Sequence, residues 1–569
     1  MPQDAITLAK TSKLLNDLLK GAKVNKVTQP TADEVILNLY CKNGSFKLNI
    51  CANAVGARVG LTSLEKKNPS TPSGFCMLLR KHLLSATLVS VASLDLERIV
   101  CLTFDGKNDF LEPVQKQLYC EIMGKYSNII FCENQIILGT LKSSALELGK
   151  ERALLSGAKY ALPKSQGKTN IYDKEASLAV LNQFSSGDLS NYIFSSFQGF
   201  SLPTAKEIVY RFFGEEFFVM PIVKTAEFYD FILDFINNSN NKSNVVVSQD
   251  KLIDFYFCDY KTVTGNKVFF KNLLEAEQYY FDNKQTQREF NELKNKLTSV
   301  VNSKLKKEIK KLQIISEKEL ACSNAEDDRR RGELITANIY KIKKGDKFVI
   351  VDDYYNENAP LKIALDEQLS ANANAQKYFK KYQKLKNTLK AIIPQKEQCE
   401  NECTYYKSVL SELNIAQTIK DLYEIEEELK QSGLIKNDST IKSSKKEEKI
   451  SYRVFDYNGY KILAGKNNIQ NDKLTFSAKP SDIWLHTKEY HSAHVIIQSS
   501  SLHVPNEILQ IAAEICAYYS EAKNGDKVPV DYTQRKYVKK PPKSKYGAVI
   551  YTDFKTVFVT PNSHSNLEI

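Results

Sequence analysis

A multidomain α+β protein carrying a long helical arm is the fold class this sequence predicts, on three observations. The 569 residues exceed what one hydrophobic core organises, so several domains are expected. Residues 1–172 alternate short apolar runs with turns, the pattern of a mixed sheet-and-helix domain. From Phe290 to Leu312, apolar residues recur at steps of three and four among Lys, Glu, Asn and Gln, which marks one stripe on a long charged helix.

The elements follow in chain order. Residues 35–40, 45–51, 99–104 and 128–132 have strand composition. Residues 8–19 and 75–84 have helical spacing, the second entered from a loop containing Pro69 and Pro72. Residues 173–272 are expected to be mainly helical. There Gly199 and Phe200 lead into Ser201, a good N-cap, with Pro203 in the first turn, which predicts a helix–turn–helix hairpin. Residues 273–435 form the arm. Phe290, Leu293, Leu297, Val301, Leu305, Ile309 and Leu312 run outward, and a small insert near 335–370 carries strands at 347–351 and 361–365. Tyr378, Phe379, Tyr382, Leu385 and Leu389 lie on the returning helix, and after Pro394 a third stripe takes in Leu422, Ile425 and Leu429. Outgoing and returning stripes predict an antiparallel coiled coil, and a plain helical bundle fits the same pattern. Residues 436–449 have the polar composition of a linker, and 450–569 read as a compact α+β domain.

Composition narrows the class. Hydrophobic residues make up 42% and charged residues 26%, with no apolar run long enough for a membrane span. Met1 to Asp4 lack a secretory signal, and the eleven cysteines are scattered rather than spaced as a disulfide framework, so a cytoplasmic protein is expected. No Walker-type glycine loop, Gly-x-Ser-x-Gly or His-Glu-x-x-His occurs, so no catalytic residue and no cofactor is expected. Four of the six histidines fall at 486, 491, 494 and 503, without metal-ligand spacing or neighbouring cysteines, and no metal site is expected. Trp484 beside them is expected to pack in a core.

Net charge is +12, and eight basic residues lie between Lys527 and Lys555 against Asp531 and Asp553. Arg535, Lys536, Lys539, Lys540, Lys543 and Lys545 sit close together, which suits a phosphate backbone as well as it suits a solvated loop.

Several motifs then stand in one collinear order. They are the 75–83 helix after its Asn-Pro loop, Glu121 to Ile130 with Tyr126 at a usual His position, Arg329-Arg330-Arg331-Gly332-Glu333-Leu334, Asn374 to Phe379, and the polar block 465–497. Together they resemble the NFACT family, the RqcH-type proteins of ribosome-associated quality control. The resemblance implies an amino-terminal domain like that of formamidopyrimidine-DNA glycosylases and a carboxy-terminal RNA-binding domain. It implies tRNA contacts at Glu97, Arg98, Glu121, Ile122 and Met123, with Glu97 standing where the family usually has Asp. It further implies RNA contacts at His486, Lys488, His494, Arg535, Lys536, Lys539 and Lys540. The partners implied are the large ribosomal subunit, peptidyl-tRNA with its nascent chain, alanyl-tRNA and other quality-control factors, with no membrane. The activity implied is template-free alanine tailing, in which the ribosome supplies peptidyl transfer. Two other readings are a fibronectin-binding surface adhesin and a DNA glycosylase. Against the last, Gln3 follows Pro2 where those enzymes place a proton-exchanging carboxylate, and their four-cysteine zinc finger is missing. The end of the chain soon after the RNA-binding module is expected of a prokaryotic member.

Overall fold

The computed structural model describes residues 3–107, 112–143, 152–164, 166–214, 224–238, 242–249, 251–436, 452–498, 504–542 and 544–569. Residues 437–449 of the expected 436–449 linker, His503 and Lys543 lie outside the described residues. The chain forms two compact units, Met1–Gln287 and Arg288–Ile569.

The first unit opens with α1 (Ala5–Leu19), whose N-cap Asp4 accepts from the Thr7 N–H at 2.8 Å. Strands β1 (Lys23–Thr31), β2 (Glu34–Cys41), β3 (Gly44–Cys51) and β4 (Arg58–Leu61) follow, then α2 (Gly74–Leu83). Next come β5 (Thr87–Ser93), β6 (Ile99–Lys107), β7 (Pro113–Glu121), β8 (Asn128–Glu133) and β9 (Ile136–Thr140). The nine strands pair in the order β4-β3-β2-β1-β5-β6-β7-β8-β9, and β1 joins β5 at Lys23 and Thr87, flanked by the Val24 N–H donating to the Ala86 carbonyl and the Leu88 N–H to the Ala22 carbonyl. Leu15, Val27, Leu37, Leu79, Leu102 and Phe131 meet in its core, which explains why α1 and α2 carry apolar stripes.

Helices α3 (Lys174–Asn182), α4 (Leu189–Ser196), α5 (Leu202–Phe213) and α6 (Thr225–Asn238) come next. They pack with a three-stranded sheet of β10 (Asn244–Ser248), β11 (Lys251–Tyr256) and β12 (Asn266–Phe269) around an aromatic core containing Phe197, Phe228, Phe235, Phe257 and Tyr260. The α4–α5 hairpin forms as its sequence predicts: Ser201 caps α5, and Gly199 takes a φ of +87°.

Helix α7 (Leu273–Cys322) begins in the first unit and continues into the second. After it come α8 (Ala325–Ala337), the hairpin β13 (Phe348–Asp353) and β14 (Ala359–Ala364), α9 (Ala371–Ile415) and α10 (Ile419–Gln431). Helices α7 and α9 run antiparallel. Lys294 reaches the Asn414 carbonyl at 3.3 Å near one end, and Lys396 pairs with Glu319 at 2.6 Å nearer the other. Leu297 and Val301 pack with Tyr405, Val409 and Leu413 along the seam. At the insert, α8 approaches α9 so closely that a Cβ on Gly332 would lie 2.9 Å from the Phe379 ring, so the glycine of the Arg-Arg-Arg-Gly motif is a packing requirement.

One expectation is corrected. Pro394 does not separate two stripes; it lies inside the continuous helix α9. Ile392 and Cys399, on either side of it, are both buried against Ile315 of α7, and that packing holds the helix through the missing hydrogen bond. The chain breaks instead at Ala416, before a capping box between Thr418 and Asp421 starts α10.

The last domain has β15 (Arg453–Tyr457), β16 (Tyr460–Ala464), α11 (Asn468–Ser477), β17 (Ile483–Thr487), β18 (Val495–Gln498), α12 (Asn506–Tyr518), β19 (Val528–Gln534), β20 (Val538–Lys539), β21 (Ile550–Tyr551) and β22 (Lys555–Val559). Six strands pair as β15-β16-β18-β17-β19-β22. Period-two alternation sends Leu485, Val495 and Ile497 toward the α12 core, and Trp484 and Ile496 toward Leu474 and Val538 on the other face.

Candidate nucleic-acid interface

Two stretches far apart in sequence are brought together in the first unit by strand register. On the β6–β7 hairpin, Ile99 stands opposite Glu121, and the Ile122 N–H donates to the Arg98 carbonyl at 2.8 Å. Glu97-Arg98 and Glu121-Ile122-Met123 therefore share one end of the sheet. A tight turn delivers the first pair: the Glu97 N–H donates to the Leu94 carbonyl at 2.7 Å, with Asp95 and Leu96 at φ values of 39° and 52°. Leucine is strained there, and burial of its side chain offsets the strain. A Cβ on Gly199 would come within 3.1 Å of Leu96, so the glycine lets the α4–α5 turn close over it.

Between these parts opens a cavity of about 290 Å³, lined by Asp4, Glu97, Arg98, Lys168, Gln198 and Ser201 among others. The N-termini of α1 and α5 both meet it. Asp4 ties them together, its Oδ2 accepting from Ser201 at 2.6 Å and from Thr204 at 2.7 Å. Glu97 accepts from the Gln198 side-chain amide at 2.8 Å. Burial raises the Glu97 carboxyl, opposed by Gln198 and Arg98. Burial lowers the Arg98 guanidinium, opposed by Asp4 and Glu97. Lys168 donates to the Phe194 carbonyl at 2.7 Å, and burial followed by the Arg98 charge lowers its pKa. The cleft thus sets two mutually repelling cations, Arg98 and Lys168, against the carboxyl groups of Asp4 and Glu97 at its wall.

The second stretch is divided in its orientation. Glu121 is fully enclosed, its oxygens held by Arg152 at 2.9 and 2.6 Å and by the Tyr160 hydroxyl at 3.0 Å. Ile122 is buried, Met123 half-exposed, and Lys125 and Tyr126 after it are exposed. Sequence reasoning missed Arg152 and Lys168. Neither stands in a motif, and each meets its partner only through the fold. Gln3 is buried and bonded to Glu277 at 2.9 Å, and burial pushes the Glu277 carboxyl up to about 8.

In the second unit the structure separates the residues the sequence groups. His494 is buried, its Nδ1 2.8 Å from the Thr475 hydroxyl. Nδ1 of His486 lies 2.6 Å from the Thr487 carbonyl, so Nδ1 carries the proton and Nε2 is the acceptor. Burial lowers His486 to about 4, which leaves it neutral near pH 7. Arg535 donates to the Thr475 and Phe476 carbonyls at 3.0 and 3.2 Å, capping the C-terminus of α11, and Lys540 pairs with Asp472. Lys488, Lys536 and Lys539 are exposed. They do not form one patch: Lys488 bonds the backbone of Pro529 at one end of β17, and Arg535 that of Asp482 at the other, a strand length of roughly 16 Å. Among the described residues, no group of three or more His, Cys, Asp or Glu is placed to hold a metal ion, and no helix is long and apolar enough to cross a membrane.

Residues 4–448 match the NFACT N-terminal and middle domains, and residues 450–553 match the NFACT protein RNA binding domain. The chain is 34% identical to "Rqc2 homolog RqcH" of Bacillus subtilis over 567 residues, covering 98% of this chain and 97% of that one. It is 32% identical to the protein of the same name from Streptococcus pneumoniae over 555 residues, covering 97% and 96%. Among solved structures, the C-terminal part of the fibronectin/fibrinogen-binding protein from Streptococcus suis is similar at 32% identity and a TM-score of 0.40, over 49% of this chain and 99% of that one.

Proposed function

The chain belongs to the NFACT family, and on that premise we propose that it is a ribosome-associated quality control factor. In this reading it binds large ribosomal subunits that hold a stalled nascent chain on tRNA, and recruits aminoacyl-tRNA, alanyl-tRNA by family resemblance, for template-free C-terminal tailing. The amino-terminal domain would be the glycosylase-like tRNA reader, and the antiparallel arm would reach along the subunit. The ribosome supplies the peptidyl transfer, so the protein contributes binding and orientation and needs no nucleophile.

The observation that carries this reading is the β6–β7 register, which sets Arg98 and Met123 at one sheet end beside a cleft holding Lys168 and two helix N-termini. Arg98 is suited to a forked contact with phosphate or a base edge, with Glu97 and Asp4 close enough to steer its guanidinium. In the second domain, exposed Lys488, Lys536 and Lys539 favour phosphate contacts, whereas Arg535 and Lys540 favour a role in holding that surface together.

The test is sedimentation of the protein from stalled translation extracts, followed by sequencing of its bound RNA. Recovery with large subunits and one dominant tRNA is expected. Recovery with small subunits alone, or with no ribosomal particle, contradicts the reading.

A further inference from the structure

The turn joining β7 to β8 presents an aromatic ring at the sheet end that carries Arg98. Tyr126 is 71% exposed, and its exposure is fixed by the backbone beneath it. Gly124 takes a φ of +59°, a conformation in which a side chain would be strained. The Tyr126 and Ser127 N–H groups donate to the Met123 and Gly124 carbonyls at 3.2 and 3.1 Å, and the buried Ser127 hydroxyl accepts from the Met123 N–H at 2.8 Å. Next in the chain, buried Asn128 bonds both the N–H and the carbonyl of Lys142, at 2.9 and 2.8 Å. Ser127 and Asn128 thus pin the turn inward and leave Lys125 and Tyr126 outside.

An isolated exposed tyrosine is ordinary, so exposure alone decides nothing. Two neighbours indicate what this ring receives. Lys125 Nζ stands 4.8 Å from the Tyr126 ring centroid, and among the described residues this lysine has no ion pair. The Ile122 N–H donates to the Arg98 carbonyl at 2.8 Å, so the pair follows within four residues of a strand end bonded to Arg98 itself. A largely open ring beside an unmatched cation suits a planar base with a phosphate next to it. The base stacks, and the phosphate supplies the missing counter-charge. Because the turn is already fixed, little backbone entropy is lost on stacking.

We propose that Lys125 and Tyr126 form a stacking platform for one unpaired base of the bound tRNA, with the lysine set against the phosphate beside that base. Stacking on a ring face is open to every base, so the platform adds affinity and holds the tRNA in register without reading its sequence. The inference rests on the reading of the Arg98 cleft as a tRNA site and extends that site to a residue pair on the neighbouring turn.

The experiment measures binding of the full-length protein to unfractionated aminoacylated tRNA at several salt concentrations. It is repeated for Tyr126→Ala, Tyr126→Phe and Lys125→Ala, with thermal melting and large-subunit sedimentation on every variant. Tyr126→Ala should weaken tRNA binding about tenfold, the size of one lost base–aromatic stack. Melting should stay unchanged, because the side chain stands in solvent. Tyr126→Phe keeps the ring and should recover the affinity that Tyr126→Ala loses. Lys125→Ala should lower the salt slope of tRNA affinity by about one. Wild-type affinity in Tyr126→Ala, or a Tyr126→Phe protein as weak as Tyr126→Ala, overturns the proposal and leaves the reading of the Arg98 cleft standing. Intact tRNA binding with lost subunit sedimentation in Tyr126→Ala would make the ring a contact to the subunit and also overturn it. Absence of tRNA binding in the wild type would remove the broader reading and the platform with it.

Discussion

Glu121 belongs by resemblance to a tRNA-contacting segment, yet its carboxylate is enclosed and shared between Arg152 and Tyr160. Its effect on tRNA should therefore pass through the strand end it anchors. Glu121→Gln leaves the half-buried Arg152 guanidinium without its charge partner and should lower unfolding free energy by about 1–3 kcal/mol. Urea unfolding alongside tRNA binding checks this; full stability with lost tRNA binding would show direct contact instead. Glu277 gives a pH signature. Burial holds its carboxyl up at about 8, against an ordinary 4.5, despite hydrogen bonds from Gln3 and Thr11. A raised acid is protonated in the folded state while the unfolded chain has lost the proton. Its contribution is thus fully present below pH 4.5 and is lost as pH rises to about 8. Glu277→Gln should flatten the fall in melting temperature across that window, as differential scanning calorimetry at several pH values would record. Arg98 is marked in the sequence by family resemblance alone, and the fold places it on the wall of the cleft. Arg152 is unmarked, because its link to Glu121 is made across 31 residues by the fold. His494 stands in a run that reads as polar surface, but the fold buries it with its Nδ1 against the Thr475 hydroxyl, while His486 stays half-buried.

Among the elements, the stripes of α7 and α9 and the hairpin at Gly199 to Pro203 are visible in the residue pattern, because local spacing and capping chemistry determine them. Pro394 is where local chemistry loses to packing. Its ring removes a donor to the Lys390 carbonyl, and contacts of Ile392 and Cys399 with α7 override the break. Pro394→Ala restores that hydrogen bond and should raise arm stability by about 1–3 kcal/mol, read as an increase in the thermal unfolding midpoint. Loss of stability in this variant would mean that the proline shapes the helix for its seam. The order of the nine strands was beyond the sequence, since long-range pairing leaves no local mark.

For the whole molecule, a net charge of +12 predicts salt-sensitive RNA binding, but the cations are not equivalent. Lys536→Ala and Lys539→Ala should each reduce the salt slope of RNA affinity by about one, because both side chains are exposed to reach phosphate. Arg535→Ala should instead lower the melting temperature, because its guanidinium caps α11. In the proposed function, the cleft at Arg98 selects tRNA. The most direct measurement is the amount and identity of tRNA on large-subunit complexes purified with wild-type and Arg98→Ala protein, with melting curves as a folding control. Loss of about 1–3 kcal/mol of tRNA affinity, with subunit binding and fold retained, is the predicted result. Unchanged tRNA occupancy in a well-folded Arg98→Ala protein would contradict it.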